Sequence, residues 1–99
     1  MALSIFGRFH ARPGQAGAVA AALRDVVPPS RAEPGCVFIE AYRSTQDPDL
    51  FHIHSRWVDE AAFEVHAGLP HTAAFLARVE PLIDHPLQIS RARPLDAPA

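Results

Sequence analysis

The chain is predicted to fold as an α+β protein of the ferredoxin-like, split β-α-β class, in which helices cover one face of a four-stranded antiparallel sheet. Segments whose apolar residues repeat at every second position, as in strands, alternate with segments whose apolar residues repeat at helical spacing. Their order is strand, helix, strand, strand, helix pair and strand, which is the order of the split β-α-β motif. The 99 residues allow one domain, which we place at residues 1–93, with 94–99 as a loose tail.

The first half of the chain predicts one strand and one helix. Residues 3–12 alternate in character and are followed by the turn-forming Pro-Gly pair at 13–14. Residues 15–27 carry one apolar stripe at helical spacing. The Pro-Pro pair at 28–29 is expected to stop this helix, because proline lacks a backbone N–H and restricts the residue before it. Residues 30–33 can add one more turn.

The second half predicts three strands and two helices. Asp59 is expected to cap the first of these helices, because its carboxylate can accept hydrogen bonds from the first free amides. Gly68 suits the position after the helix end, and Pro70 suits the first turn of the next helix. The predicted elements are strands over 36–44 and 50–58, a helix over 60–67, a helix from Pro70 onward and a last strand over 87–93.

Both faces of the predicted sheet carry large apolar side chains, whereas the helices can cover only one face. A monomer would therefore expose an apolar patch, which usually marks an interface. We accordingly expect a homodimer in which two sheets pack face to face. Two sets of large side chains are too many to share one face. The first set is Leu3, Ile5, Phe9, Val37, Ile39 and Leu87, and the second is Phe6, Phe38, Tyr42, Phe51, Ile53 and Trp57.

The composition excludes several classes of function. The net charge is -2 with interspersed signs, so there is no basic surface for nucleic acid. No apolar run reaches the roughly 20 residues that span a membrane, and no signal peptide is visible. A single cysteine, Cys36, leaves no intramolecular disulfide. The expected location is the cytoplasm, with no nucleic-acid or membrane partner.

Four of the six histidines and the only tryptophan lie within residues 52–71. His52 and His54 alternate on one strand face, a spacing at which two imidazoles can bind a metal. No carboxylate or cysteine nearby completes a ligand set, so both are better explained as polar residues of a half-buried face or an interface. His66 and His71 do not have the spacing of a helical zinc pair. The sequence therefore predicts no metal site.

His66 and His71 flank a predicted helix break, where side chains can line the mouth of a cavity. A neutral imidazole in that position can accept a proton, although the helix dipole alone would also favour His66 at a helix end. Trp57 is interpreted first as a core anchor and second as a ring that stacks on an aromatic ligand. Tyr42 and Arg8 could hold an oxygen of a ligand or make ordinary surface contacts.

Several short motifs follow one another between residues 31 and 75. They are Arg31-Ala32-Glu33-Pro34-Gly35-Cys36, Tyr42-Arg43-Ser44, Asp47-Pro48, Arg56-Trp57, Glu60-Ala61-Ala62-Phe63, His66, Pro70-His71 and Phe75. Together they resemble the antibiotic biosynthesis monooxygenase family, a family of dimeric α+β barrels that includes small quinol monooxygenases. The resemblance extends from about Leu3 to about Arg93, and its most specific parts are the Glu-Pro-Gly-Cys turn and the spacing from Trp57 to His66.

The resemblance implies a monooxygenase that acts on a small aromatic quinol or polyphenol with dioxygen and without a cofactor. In such an enzyme a base deprotonates the phenol, and the anion reacts directly with dioxygen in an apolar pocket that also stabilises the anion. By position, the implied roles are proton transfer for His66 and His71, pocket walls for Trp57, Phe63 and Phe75, and contact with a ligand oxygen for Tyr42 or Arg8.

The chain departs from the family pattern in two places. Ser55 stands where the family often carries a glutamate two residues before the tryptophan. The related haem-degrading branch uses an asparagine, a tryptophan and a histidine where this chain has Gly7, His66 and Leu76, so haem degradation is not expected. The alternatives to an enzyme are a non-catalytic ligand-binding or stress-responsive barrel and a structural dimer module that binds another protein.

Overall fold

The structure, a computed structural model, describes residues 2–95 of the chain. Its elements are β1 (Leu3–His10), α1 (Ala16–Arg31), β2 (Cys36–Arg43), β3 (Leu50–Trp57), α2 (Glu60–Ala67), α3 (Pro70–Val79), a short 3-10 helix (Glu80–Leu82) and β4 (Gln88–Ala92). The strands form one antiparallel sheet in the order β2-β3-β1-β4, with the helices on one face. The predicted α+β, ferredoxin-like fold is confirmed.

The helix-facing side of the sheet follows from strict alternation along β1. Leu3, Ile5 and Phe9 are each at most 4% exposed, whereas Phe6 between them is 47% exposed. The antiparallel register with β3 places Trp57 beside Leu3, so that both strands contribute to the same core. Phe63 of α2 packs on this core, whereas the apolar stripe of α1 packs around Phe9 and Ile39. The stripe consists of Val19, Ala22, Leu23, Val26 and Val27.

Helix α1 does not stop at the Pro-Pro pair of 28–29, so that prediction is wrong. The two prolines remove the N–H groups that would bond to the carbonyls of Arg24 and Asp25. Both of those residues are exposed, so water can solvate their carbonyl groups. Ser30, in the same turn, is fully buried, and its hydroxyl donates to the carbonyl of Val26 at 2.7 Å. Packing against the sheet therefore stabilises a turn that local sequence rules disfavour.

The opposite side of the sheet, here called the open face, is partly apolar. Phe51, Ile53 and Trp57 were candidates for this side but lie on the helix face, because β3 pairs them with the helix-facing residues of β1. Phe6 and Tyr42 remain on the open face, at 47% and 44% exposure. The open face consists of Ser4, Phe6, Arg8, Phe38, Glu40, Tyr42, His52, His54 and Arg56.

The ends of the chain differ slightly from the prediction. The last strand covers Gln88–Ala92 rather than 87–93. Within the predicted tail of 94–99, residues 96–99 lie outside the described residues, as does Met1 of the predicted domain. Within residues 2–95, no helix is both long and apolar enough to cross a membrane.

Candidate active site

A cavity of about 110 Å³ lies between the sheet and the helices. Every strand and each of α1, α2 and α3 contributes to its wall, which is mostly apolar. Of the wall residues, only Ala67 at the end of α2 and Ile89 on β4 are exposed, and we infer that the mouth of the cavity lies between them. The polar side chains of the described wall are Ser30, Ser55, His66 and Thr72, of which only His66 is titratable.

His66 lies on helix α2, which positions it in this wall. Asp59 caps the helix, and its carboxylate accepts the N–H of Ala62 at 2.8 Å, as predicted. Phe63 and His66 are three positions apart and therefore share the helix face that points toward the core. The imidazole of His66 lies 4.4 Å from the ring of Trp57, between centroids, with an interplanar angle of 32°. Trp57 is fully buried and thus forms a rigid support for the imidazole.

Glu33, which the sequence-based assignment did not include, is the residue that orients both predicted catalytic histidines. Its Oε2 accepts a hydrogen bond from Nδ1 of His66 at 2.7 Å and another from Nε2 of His71 at 2.8 Å. The Glu33 side chain is 9% exposed, and those of His66 and His71 are 12% and 27% exposed. Glu33 begins the Glu-Pro-Gly-Cys turn, which is one of the motifs that resemble the family. No local pattern relates it to His66 and His71, which follow 33 and 38 positions later.

The Glu33 carboxylate fixes the tautomer of His66. An ionised carboxylate has only acceptors, so Nδ1 of His66 must carry the hydrogen of this contact. In the neutral imidazole the lone pair then resides on Nε2. Nε2 has no hydrogen-bond partner among residues 2–95 and is not sealed from solvent. Nε2 is thus the acceptor nitrogen of a side chain that lines the cavity.

His71 lies behind Glu33 and does not line the cavity. It begins α3 and borders a separate surface groove, together with Asp25 and Arg78. Its contact with the site is the hydrogen bond to Glu33. His66 thus lines the cavity itself, whereas His71 contacts the Glu33–His66 pair from outside the cavity wall.

Of the three residues predicted to form the pocket wall, two line the cavity and one lies behind it. Phe63 and Phe75 line the cavity directly. Trp57 does not line it, but lies beneath His66 and donates its indole N–H to Oγ of Ser55 at 3.0 Å. Ser55 is 4% exposed and borders the cavity, so the hydroxyl that stands in the place of a family glutamate anchors the tryptophan.

Tyr42 and Arg8 are not part of the His66 site, contrary to the roles that the resemblance implied. Both lie on the open face, because their positions on β2 and β1 alternate with those of the cavity-lining residues. The Tyr42 hydroxyl donates to Oε2 of Glu40 at 2.7 Å, and this hydrogen bond raises the pKa of Tyr42. A molecule held beside His66 is separated from both side chains by the sheet itself.

Comparisons with known proteins agree with this architecture. The profile of the antibiotic biosynthesis monooxygenase family matches residues 2–78. The Mycobacterium tuberculosis protein named "Putative monooxygenase Rv0793" is 31% identical over 94 residues, which cover 95% of this chain and 92% of that protein. The structure of Rv0793 superposes with a TM-score of 0.92 over 100% of both chains at 28% identity.

A second solved structure gives a similar result. PA3566 from Pseudomonas aeruginosa is 33% identical and superposes with a TM-score of 0.88, covering 95% of this chain and 94% of that one. The family and its relatives support a monooxygenase-like role on a small-molecule substrate. On the strength of the profile match, the conserved architecture and the His66 cavity, the chain belongs to the antibiotic biosynthesis monooxygenase family.

Proposed function

We propose that this protein is a cofactor-independent monooxygenase that oxidises a small aromatic quinol or polyphenol with dioxygen, in the cavity beside His66. The observation that carries the proposal is the pairing of His66 with Glu33. The pair gives the mostly apolar wall its one titratable group among the described residues, and it favours the tautomer of His66 that can act as a base.

The proposed reaction begins with transfer of a phenolic proton to Nε2 of His66. The resulting imidazolium is stabilised by the Glu33 carboxylate, which keeps its contact with Nδ1. The hydroxyl of Ser55 accepts from Trp57, and its own hydrogen remains available to the phenolate oxygen. The electron-rich anion then reacts with dioxygen. For a hydroquinone, one oxygen atom enters the ring and the other leaves as water, giving a hydroxyquinone. The substrate supplies all four electrons.

The size of the cavity favours a substrate with one ring inside. Its volume of about 110 Å³ is on the order of the ~150 Å³ cavity that encloses a benzene molecule. A larger polyphenol would extend through the mouth between Ala67 and Ile89. The apolar walls also exclude water, which strengthens the interaction between the anion and its hydrogen-bond donors.

Oxygen consumption tests this function. Purified protein is supplied with a panel of hydroquinones and polyphenols, and dioxygen uptake is recorded with an electrode. His66→Ala is expected to lower kcat by about 10²–10⁴-fold, the usual contribution of a general base. His52→Ala, on the open face, is the matched control and should retain turnover. Full activity in His66→Ala, or no uptake by the wild-type protein across the panel, would contradict the proposal.

The alternative is a ligand-binding or stress-responsive barrel without turnover. The replacement of a family glutamate by Ser55 favours it, because one carboxylate of the usual pattern is missing. This alternative predicts that a phenol raises the melting temperature and is recovered unchanged. Turnover by the wild-type protein that depends on His66 would exclude it.

We also propose that the protein acts as a homodimer. The support is the open face, on which Phe6 and Tyr42 are about half exposed and Phe38 borders them. Nε2 of His54, on this face, is already enclosed and has no hydrogen-bond partner among residues 2–95. A second open face would cover these aromatic groups. We place the dimer in the cytoplasm, where a single unpaired cysteine is common.

A further inference from the structure

We infer that Glu33, His66 and His71 also form a binding site for one divalent transition-metal ion, of the kind that prefers nitrogen and oxygen ligands, and that the bound ion turns off the base. The binding half of this inference stands on the three side chains alone. The inhibitory half rests on the proposed function, because it concerns the same His66.

The ligand atoms are already gathered in one place. Nδ1 of His66, Nε2 of His71 and Oε2 of Glu33 all lie within 4.8 Å of one another. Two imidazoles and one carboxylate are a common ligand set for zinc in catalytic sites and, in facial arrangement, for iron. The three residues come from the turn before β2, the end of α2 and the start of α3, so the fold holds them independently of one another.

The two nitrogen–oxygen distances are already close to those of a metal site. Metal–ligand bonds of about 2.0–2.1 Å at a tetrahedral centre separate neighbouring ligand atoms by about 3.3 Å. The present nitrogen–oxygen distances are 2.7 and 2.8 Å. Each imidazole must therefore move from the carboxylate by about 0.5 Å, which side-chain torsions can provide. Oγ1 of Thr72, 3.4 Å from Nδ1 of His66, is a further oxygen at the same place.

The site lies next to a surface groove. His71 is 27% exposed and borders this groove, which is separate from the catalytic cavity. We expect an ion to reach the site from the side of His71. Charge also favours binding, since one carboxylate and two neutral imidazoles present a single negative charge to a divalent cation.

A second histidine-carboxylate cluster is less suited to an ion. His10, Asp47 and Asp49 also lie within ligand distance of one another. However, both ring nitrogens of His10 donate to carboxylates, those of Asp84 and Asp47. An ion would have to displace a proton from His10, and the Asp47 side chain is 43% exposed. This cluster therefore serves as an internal control.

Occupancy would change the chemistry of the catalytic cavity. When an ion takes the Nδ1 lone pair of a neutral imidazole, the hydrogen moves to Nε2. Nε2 of His66 then becomes a donor and can no longer accept the phenolic proton. The local spacing of His66 and His71 had argued against a metal site, and Glu33 supplies the ligand that this spacing lacks.

Cobalt(II) titration of the full chain, after treatment with a chelator, tests the binding. Visible absorption reports coordination of the ion, and the fluorescence of the only tryptophan, Trp57, reports binding at His66 because the two rings are 4.4 Å apart. We expect one equivalent to bind and quench Trp57. Glu33→Gln and His71→Ala should each weaken binding by more than about tenfold, since even the loss of an outer partner has that effect.

His10→Ala is the matched control and should bind cobalt as the wild-type protein does. Circular dichroism and melting temperature establish that each variant is folded. Two ligand variants are used so that the test still holds if one of them does not fold. Unchanged affinity in both ligand variants would overturn the inference, as would loss of binding in His10→Ala alone.

Oxygen uptake, measured with and without the ion, separates this inference from the proposed function. If chelated protein oxidises quinols and cobalt or zinc suppresses the reaction, both stand. If the chelated protein is active and no ion binds, the metal site is wrong and the function is unaffected. If an ion binds and is required for turnover, the metal site stands but the cofactor-independent mechanism and the inhibition are wrong.

Discussion

At the scale of single residues, Glu33 determines what His66 can do. An imidazole at the end of a short helix could present either ring nitrogen to a ligand. The carboxylate selects Nδ1 as the donor and thereby leaves Nε2 as the acceptor. It would also stabilise the positive charge that develops when His66 accepts a proton. His71, on the same oxygen, restrains the carboxylate from the other side.

Replacing this carboxylate should impair the chemical step more than substrate binding. In Glu33→Gln the amide can turn its NH₂ group toward His66, which favours the opposite tautomer. We expect kcat for quinol oxidation to fall by roughly 10–10³-fold, within the range of a general-base contribution, while KM changes little. Steady-state oxygen uptake over a range of quinol concentrations separates the two constants.

Glu40→Gln is the matched control for this experiment. Glu40 lies on the open face, where its carboxylate accepts from Tyr42. It should retain the wild-type kcat and KM. A Glu33→Gln protein with an unchanged kcat would show that the tautomer of His66 does not limit the reaction.

The sequence predicted part of this site and missed the rest for a physical reason. The family resemblance implied His66, Phe63 and Phe75 by position, and all three line the cavity. Glu33 depends on contacts between distant segments, for which a single sequence has no local signal. Arg8 and Tyr42 were also implied by position in the resemblance, although strand alternation puts them on the other side of the sheet.

At the scale of elements, the turn between α1 and β2 is fixed by a close approach to α2. A Cβ atom added to Gly35 would lie 2.4 Å from Cβ of Ala62. The absence of a side chain at Gly35 therefore allows the turn that carries Glu33 to lie against the helix that carries His66. The site geometry depends on this contact.

Gly35→Ala should consequently lower both stability and activity. Overpacking of this kind typically costs 1–3 kcal/mol, so we expect the free energy of unfolding to fall by about that amount. Displacement of the turn should also reduce quinol oxidation at saturating substrate. Urea unfolding followed by Trp57 fluorescence gives the first quantity, and oxygen uptake gives the second.

Gly17→Ala is the control: it makes the same substitution at another glycine and should change the free energy of unfolding in the opposite direction. Gly17 lies in α1, and no atom is within 4 Å of an added Cβ. The substitution should raise the free energy of unfolding by up to about 1 kcal/mol, because alanine has the higher helix propensity. If Gly35→Ala behaved like Gly17→Ala, the turn would not be held by the contact with Ala62.

A different set of side chains joins β1 to two connecting segments. Nδ1 of His10 donates to Asp84 at 2.6 Å, before β4, and Nε2 donates to Asp47 at 3.0 Å, in the loop between β2 and β3. Both hydrogen bonds raise the pKa of His10 above 6.5, and the bond to Asp84 has the larger effect. The pKa of Asp84 is lowered, chiefly by His10, and that of Asp47 chiefly by the N–H of Asp49.

Stability should therefore depend on pH in a defined direction. The raised pKa of His10 means that its contribution is complete below 6.5 and is lost as the pH rises through the raised value. The lowered pKa values of Asp47 and Asp84 mean that their contributions are lost as the pH falls below 3.8. We expect urea unfolding to show a decline in stability above pH 6.5 that His10→Gln lacks.

The comparison with His10→Gln is needed because His54 acts in the opposite direction. Burial lowers the pKa of His54, so its contribution to stability grows as the pH rises through that region. The difference between wild type and variant removes this background. An identical pH dependence in both proteins would show that the His10 hydrogen bonds do not persist in solution.

At the scale of the whole molecule, the sequence was most informative about architecture. The alternation in β1 and β3 and the stripe of α1 are repeated over many residues, so individual exceptions do not change the fold they predict. The end of α1 was mispredicted because packing of Ser30 and its neighbours outweighs the local cost of two prolines. The face of each aromatic residue on β3 required the register, which one sequence leaves open.

The open face leads to the prediction for the assembled protein. Phe6 stacks on His54 with centroids 4.4 Å apart and is still 47% exposed, so much of its apolar surface is uncovered on the open face. A carboxylate at this position would be desolvated by a second sheet. Phe6→Glu is therefore expected to halve the mass measured by light scattering, from a dimer to a monomer, because a buried unpaired charge costs several kcal/mol.

Val65→Glu provides the matched control for the dimer. Val65 is 64% exposed on α2, on the helix side of the molecule, and the same added charge there should leave the dimer intact. Because the cavity is formed within one chain, a monomeric Phe6→Glu protein should keep its His66 site and part of its turnover. A monomeric wild-type protein, or dissociation by Val65→Glu instead of Phe6→Glu, would show that the aromatic open face is not where two copies meet.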